Sequence, residues 1–127
     1  MIKAAPQVEI DEAIKELVFS EPEKCTIVHC RHYAIEPSGV RIWPNTFLIE
    51  DNGSRRKLIK AFNISLMPHW TFHLVENEFI RFTLVFEGLS AGCRQLHLLE
   101  DIKQPGGFFS ELFERNKTDV YTVEVFC

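Results

Sequence analysis

The chain has 127 residues, 46% hydrophobic and 25% charged, with a formal net charge of −4. That length suits one domain spanning 1–127, able to bury a core without disulfides or metal, and the acidic balance weighs against nucleic acid, whose phosphates need a basic face. No apolar run approaches the ~18 residues of a membrane-crossing helix, and the opening MIKAAPQVEIDEAIKEL lacks the apolar stretch of a secretory signal; no membrane partner is expected, and the expected location is cytoplasmic unless a leader has been trimmed.

Ile10, Ile14, Leu17 and Val18 follow an amphipathic helical spacing, bracketed by Asp11, Glu12 and Glu16. Leu17-Val-Phe19 reads equally as the end of a strand that turns at Glu21-Pro22. Both readings stand, with residues 1–13 expected as a loosely packed arm or helical turn.

Residues 25–32, CTIVHCRH, pack two cysteines and two histidines into eight positions. In a strand, Thr26, Val28, Cys30 and His32 share one face and Cys25, Ile27, His29 and Arg31 the other. Cys25 and Cys30 then point to opposite sides and cannot reach one metal or bridge each other. Ile and Val fill the interval with no Gly or Pro to bend it, so an ordinary strand is favoured.

Turn signals recur at Glu36-Pro-Ser-Gly39, Asp51-Asn-Gly53, Met67-Pro68, Glu76-Asn-Glu78, Ser90-Ala-Gly92, Gln104-Pro-Gly-Gly107 and Asn116-Lys117. Intervals of about ten residues are those of a sandwich or barrel of short antiparallel strands. Thr46–Glu50 and Arg56–Lys60 flank Asn52-Gly53, a strong hairpin signal. The basic run Arg55-Arg56-Lys57 reads as a solvated flank of that hairpin.

In the segment 68–73, PHWTFH, His69, Thr71 and His73 share a face if the chain is extended. If it is helical, His69 and His73 lie one turn apart and, with Glu76 or Glu78, could hold zinc or iron. Exposed polar side chains on a loop or edge strand are the favoured reading. Phe79–Phe86 is the clearest strand, with Ile80, Phe82, Leu84 and Phe86 on one face and Arg81 and Thr83 on the other.

Cys93 lies beside Arg94 and four residues before His97, and a set of Cys93, His97 and Glu100 can be drawn. An activated thiol needs a defined electropositive niche, so this set carries little weight. There is no Gly-x-Ser-x-Gly elbow, and Gln104-Pro-Gly-Gly107 is a turn and not a phosphate loop. A short helix is expected over Phe108–Glu114, and Val120–Phe126 reads as a closing strand. Cys127 should be exposed.

Ile42-Trp-Pro44-Asn-Thr46-Phe-Leu48, the Asp51-Asn-Gly53 turn, Leu58, Ala61, Ile64 and Leu66 come in that order, followed by Phe82-Thr-Leu-Val-Phe86-Glu-Gly-Leu89 and Leu98-Leu-Glu100. This order resembles a group of small uncharacterised bacterial β-sandwich domains over about residues 14–126. The resemblance implies a fold and carries no catalytic residue. The chain departs from it at His97, where an acidic residue is usual, and in its density of Cys and His.

The expected fold is therefore an all-β antiparallel sandwich of seven or eight strands, with jelly-roll or immunoglobulin-like connections and one short helix. Its core is expected to include Phe47, Ile49, Leu58, Ile80, Phe82, Leu84, Phe86 and Val123. The expected function is a non-enzymatic binding or protein-interaction module with no cofactor. Trp43, Trp70, Phe72 and Phe108, the aromatics nearest turns, would be its contact residues. The partner would be a protein or small ligand, or a second copy pairing through open edge strands. The alternatives are a metal-binding sandwich with zinc or iron at His69 and His73, aided by His29, His32 or His97, and a sandwich binding a small ligand or sugar on its tryptophans. Elemental analysis of chelator-free protein separates the metal alternative. About one equivalent of zinc or iron per chain, lost on changing His69 and His73 to Ala, is its expected signature.

Overall fold

Alternating apolar and polar residues produce strands throughout the part of the chain described by this computed structural model, residues 24–35, 38–73 and 77–127. The side chains of Ser38, Phe72 and His73 are outside that description, as is the segment 10–18 read as helix or strand. The strands are β1 (Cys25–Ala34), β2 (Ser38–Ile42), β3 (Thr46–Glu50), β4 (Arg55–Phe62), β5 (Ser65–Leu66), β6 (Thr71–His73), β7 (Glu78–Glu87), β8 (Gln95–Glu100), β9 (Phe109–Ser110), β10 (Phe113–Glu114) and β11 (Val120–Phe126).

The main sheet runs β8-β3-β4-β7-β1-β11-β9, and β9 pairs back onto β8 through Leu99 and Phe109. Seven strands thus close into a barrel, with β10 added outside the ring on β8. All ring neighbours are antiparallel except β1 and β11, which run parallel with Ile27 opposite Val120 and Arg31 opposite Glu124. A small second sheet, β5-β2-β6, lies at one end.

The expected open sandwich is therefore wrong. Turn spacing and strand alternation are the same in both folds; what separates them is one pairing between β8 and β9, strands joined by an eight-residue loop. Closure also removes the ring's open edges, on which the argument for edge-to-edge dimers rested. The helix expected over Phe108–Glu114 is two short strands instead. Phe109 and Ser110 pair with Phe126 and Val125, while Phe113 and Glu114 pair with Leu96 and Gln95. Ladder hydrogen bonds on both sides outweigh the local helical pattern.

The barrel interior holds Val28 and Cys30 from β1, Leu48 from β3, Ile80, Phe82, Leu84 and Phe86 from β7, Leu96 and Leu98 from β8, and Tyr121 and Val125 from β11. The period-two reading of β7 places its apolar face correctly, and Leu58 and Val123 pack against this core partly buried. The phase of β3 is the reverse of that expected. Thr46, Leu48 and Glu50 point inward, whereas Phe47 and Ile49 are only partly buried and Phe47 lies under the Arg55 guanidinium at 4.8 Å. Apolarity alone favoured Phe47 and Ile49; polar partners inside the barrel ends decided for Thr46 and Glu50. In β4 the register slips between Leu58 and Lys60, and the extra residue, Ile59, is exposed.

The β3–β4 hairpin forms where Asn-Gly predicts it. Glu50 N–H donates to Ser54 C=O at 2.8 Å, and Gly53 N–H donates to Glu50 C=O at 2.8 Å. Gly53 takes φ +88°, while Asn52 contributes its side-chain oxygen, which accepts from Ser54 N–H at 2.9 Å.

The outer face of β1 and β7 is also buried around Cys25, Ile27 and Val85, with Phe62 and Val120 packed against them. Beside this cluster His29 Nδ1 and Thr83 Oγ1 are 2.8 Å apart, on cross-strand partner residues. CTIVHCRH is thus a strand buried on both faces, with Cys25 and Cys30 on opposite sides as the alternation requires. Replacing Leu84, fully buried in the barrel, with Ala should lower unfolding free energy by about 2–5 kcal/mol, read as a lower urea midpoint with unchanged slope.

Candidate functional site

Strand direction decides which side chains meet at the barrel's two ends. The C-terminal ends of β1, β8 and β11 share one end with the start of β3, because Thr46 pairs with Glu100 and β1 runs parallel to β11. Val40 and Ile42 of β2, with Ile64, join the core cluster, so the small sheet closes over this end without filling it. A cavity of about 410 Å³ remains, lined by the His32–Ile35 stretch of β1, Gly39–Arg41 of β2, Trp43, Trp70, Glu100, Gln104, Phe108 and Cys127.

Glu100 organises the loops around this cavity. It is 4% exposed, and its carboxylate accepts Trp43 N–H at 2.7 Å on Oε2 and Phe108 N–H at 2.9 Å on Oε1. One carboxylate thereby ties the β2–β3 loop to the β8–β9 loop. Gly107 permits the second bond, because a Cβ there would sit 2.7 Å from the Glu100 backbone oxygen. Desolvation raises the Glu100 pKa above its ordinary 4.5, against the two backbone N–H donors and the nearby Arg41 charge, which lower it.

Arg41 lies between the two indoles. Its guanidinium carbon is 4.0 Å from the Trp70 ring centre and 5.6 Å from that of Trp43. One of its nitrogens donates to Pro68 C=O at 3.3 Å. His32 forms the opposite wall. Its Nδ1 is 3.0 Å from Val125 C=O, and since a carbonyl only accepts, Nδ1 carries the hydrogen. Nε2 lies 3.8 Å from Cys127 Sγ. The ring meets Phe108 edge-on at 5.1 Å. The Cys127 thiol is pushed up by desolvation and by the Glu100 charge, so it is a neutral donor and not a ready nucleophile.

Of the contact aromatics expected from sequence, Trp43, Trp70 and Phe108 line this one cavity. Trp70 is 49% exposed, Trp43 half-buried and Phe108 buried, so they form a graded wall and not a flat patch. Phe72 sits in β6 opposite Gly39. His69 is exposed in a turn, its N–H donating to Leu66 C=O at 2.9 Å, and His73 is the last residue of β6. Among the described residues no three His, Cys, Asp or Glu side chains gather as metal ligands. His29 and His32 face opposite sides of β1, and His97 faces out of the barrel while Glu100 on the same strand faces in. The set of Cys93, His97 and Glu100 therefore does not assemble, and burial raises the Cys93 thiol further from reactivity. Of the other site residues, sequence reasoning missed Arg41 and weighed His32 and Glu100 only for other roles, His32 beside a metal and Glu100 in the Cys93 set. His32 had a signal, since alternation put it on the face of Val28 and Cys30; Arg41 and Glu100 needed the tertiary structure.

Comparison of the chain with protein-family models, with curated proteins and with solved structures finds no match. Among the described residues no helix is long and apolar enough to cross a membrane.

A carboxyl group held protonated more easily in the fold than in the open chain adds stability as pH falls through its raised folded value, complete once pH is below the ordinary 4.5. The stability of the native protein relative to Glu100→Gln should accordingly rise between pH 7 and pH ~4.5 and then level off. Paired urea titrations across that range check the sign; a difference that falls on acidification refutes it.

Proposed function

We propose that the protein is a non-enzymatic binding module that takes a small organic ligand into the mouth of its barrel. The observation that carries this reading is the convergence of both tryptophans of the chain, with Phe108, on one cavity of about 410 Å³. That volume falls in the ~300–1,000 Å³ range of small-molecule pockets, and mostly apolar walls with a few placed polar groups are their usual lining. Aromatic faces supply contact area at low entropic cost, and Arg41, His32 and Glu100 supply orientation. The Cys127 thiol beside His32, pushed up toward its neutral form, favours holding a ligand over transforming it.

Because Trp43 and Trp70 are the only tryptophans and both line this mouth, intrinsic fluorescence excited selectively in the indoles reports on it, and Trp70, which does not line the neighbouring cavity beside Trp43, assigns the signal. Three probes with one body and different heads are suitable: 4-phenylbutyrate, 4-phenylbutanol and 4-phenylbutylammonium. With about a dozen non-hydrogen atoms at roughly −0.3 kcal/mol each or better, a Kd near ~1 mM or tighter is expected for at least one of them. Trp70→Ala should weaken that probe about tenfold, while Ile59→Ala, on exposed surface of β4 outside the cavity lining, should leave it unchanged. If none of the three gives a saturable change, the reading fails.

A further inference from the structure

We infer that the mouth selects ligands carrying an anionic, carboxylate-type head, bound by the guanidinium of Arg41; this rests on the ligand-binding reading above. Arg41 is placed as a recognition group more than as a structural one. Its guanidinium carbon packs over the rings of Trp70 and Trp43, and a single hydrogen bond, to Pro68 C=O, engages one of its five N–H donors among the described residues. The other donors are left to meet a ligand. A planar fork matches the two oxygens of a carboxylate, which a lysine ammonium does not. Packing against two rings also restricts the side chain before binding, so less is lost when the ligand arrives.

The counter-charge nearest this site does not take up Arg41. No carboxylate lies within ion-pair distance of its guanidinium among the described residues; Arg31, Arg81 and Arg94 share that condition, but of these four only Arg41 lines the cavity. Glu100, the acid in the cavity wall, directs its two oxygens to the backbone N–H groups of Trp43 and Phe108. The remaining polar wall is compatible with an anion. Cys127 is a neutral thiol, and Gln104 can donate from its amide. The body of the ligand would lie along Trp43, Phe108 and Val40, with its head toward Arg41.

The three probes above separate this inference from the reading beneath it. At neutral pH, 4-phenylbutyrate should bind about tenfold or more tightly than 4-phenylbutanol, since one charge-assisted pair is worth about that factor. Arg41→Gln should bring the butyrate down to the alcohol's affinity while moving the alcohol less than about threefold, and Arg41→Lys should restore only part of the difference. The alcohol's affinity in each variant also reports that the mouth is intact. Equal affinities for all three probes overturn anion selection and leave the ligand site standing. Preference for the ammonium overturns it as well and assigns the choice of charge to Glu100. No saturable binding of any probe overturns both.

Discussion

Two buried glutamates fix the two ends of this barrel. Glu50 and Glu100 both project inward, from neighbouring antiparallel strands, and each is at most 4% exposed. An ionised carboxylate inside a protein is costly unless its oxygens are hydrogen-bonded. At one end Glu50 Oε2 accepts Ser90 N–H at 2.8 Å and lies 3.1 Å from Arg56 Nε, whose N–H is not aligned for a hydrogen bond. At the other, Glu100 accepts Trp43 and Phe108. Each acid therefore gains its partners from loops, and each loop is placed by the acid. The hydrogen bonds that these two buried carboxyl groups accept tie rim loops into defined walls.

The two ends differ in consequence. Around Glu50 the rim is tied by side chains: Arg115 donates to Ser90 C=O and Cys93 C=O and pairs with Asp119, which in turn accepts Tyr121 O–H at 2.9 Å, and a polar cavity of about 510 Å³ lies beside Asp51, Cys93 and Arg115. Glu50 Oε1 and Arg56 Nε nevertheless stay buried at this end without a hydrogen-bond partner. Around Glu100 the rim is held apart, because the β8–β9 loop and the β2–β3 loop are tied to a common point while the small sheet crosses above. The cavity lies in the space so kept open. Its walls are Trp43 and Phe108, the residues whose N–H groups Glu100 anchors, so the same bonds that close the fold set the shape of the site.

Much of the fold was legible as pattern. The β7 alternation, the Asn-Gly hairpin and the strand at CTIVHCRH with its cysteines on opposite faces follow from period and turn chemistry, and these are local signals. The candidate site was legible only as a set of residue types. Trp43, Trp70 and Phe108 stand far apart in the chain and were grouped for their nearness to turns; their meeting depends on which loops share a barrel end. Phe47 and Ile49 show the opposite failure. Their apolarity argued for the core, but a strand has two faces, and the face carrying Thr46, Leu48 and Glu50 goes inside because Glu50 and Thr46 have partners there, Thr46 O–H donating to Trp43 C=O at 2.6 Å. No local rule ranks Glu above Phe for an interior position.

By itself, then, the sequence determined that this chain is mainly β in its described part, though it suggested a helix over Phe108–Glu114 that is strand, where its hairpin turns, and which face of β7 is apolar, because hydrophobic period and backbone preference act over a few residues. Tertiary structure alone decided that the sheet closes, since closure is one pairing between Leu99 and Phe109 that no alternation encodes. It also decided that Arg41 lies between two tryptophans and that His32 faces Cys127 across 95 residues of chain. Those are contacts between elements, and their geometry exists only once the barrel has brought the strand ends together.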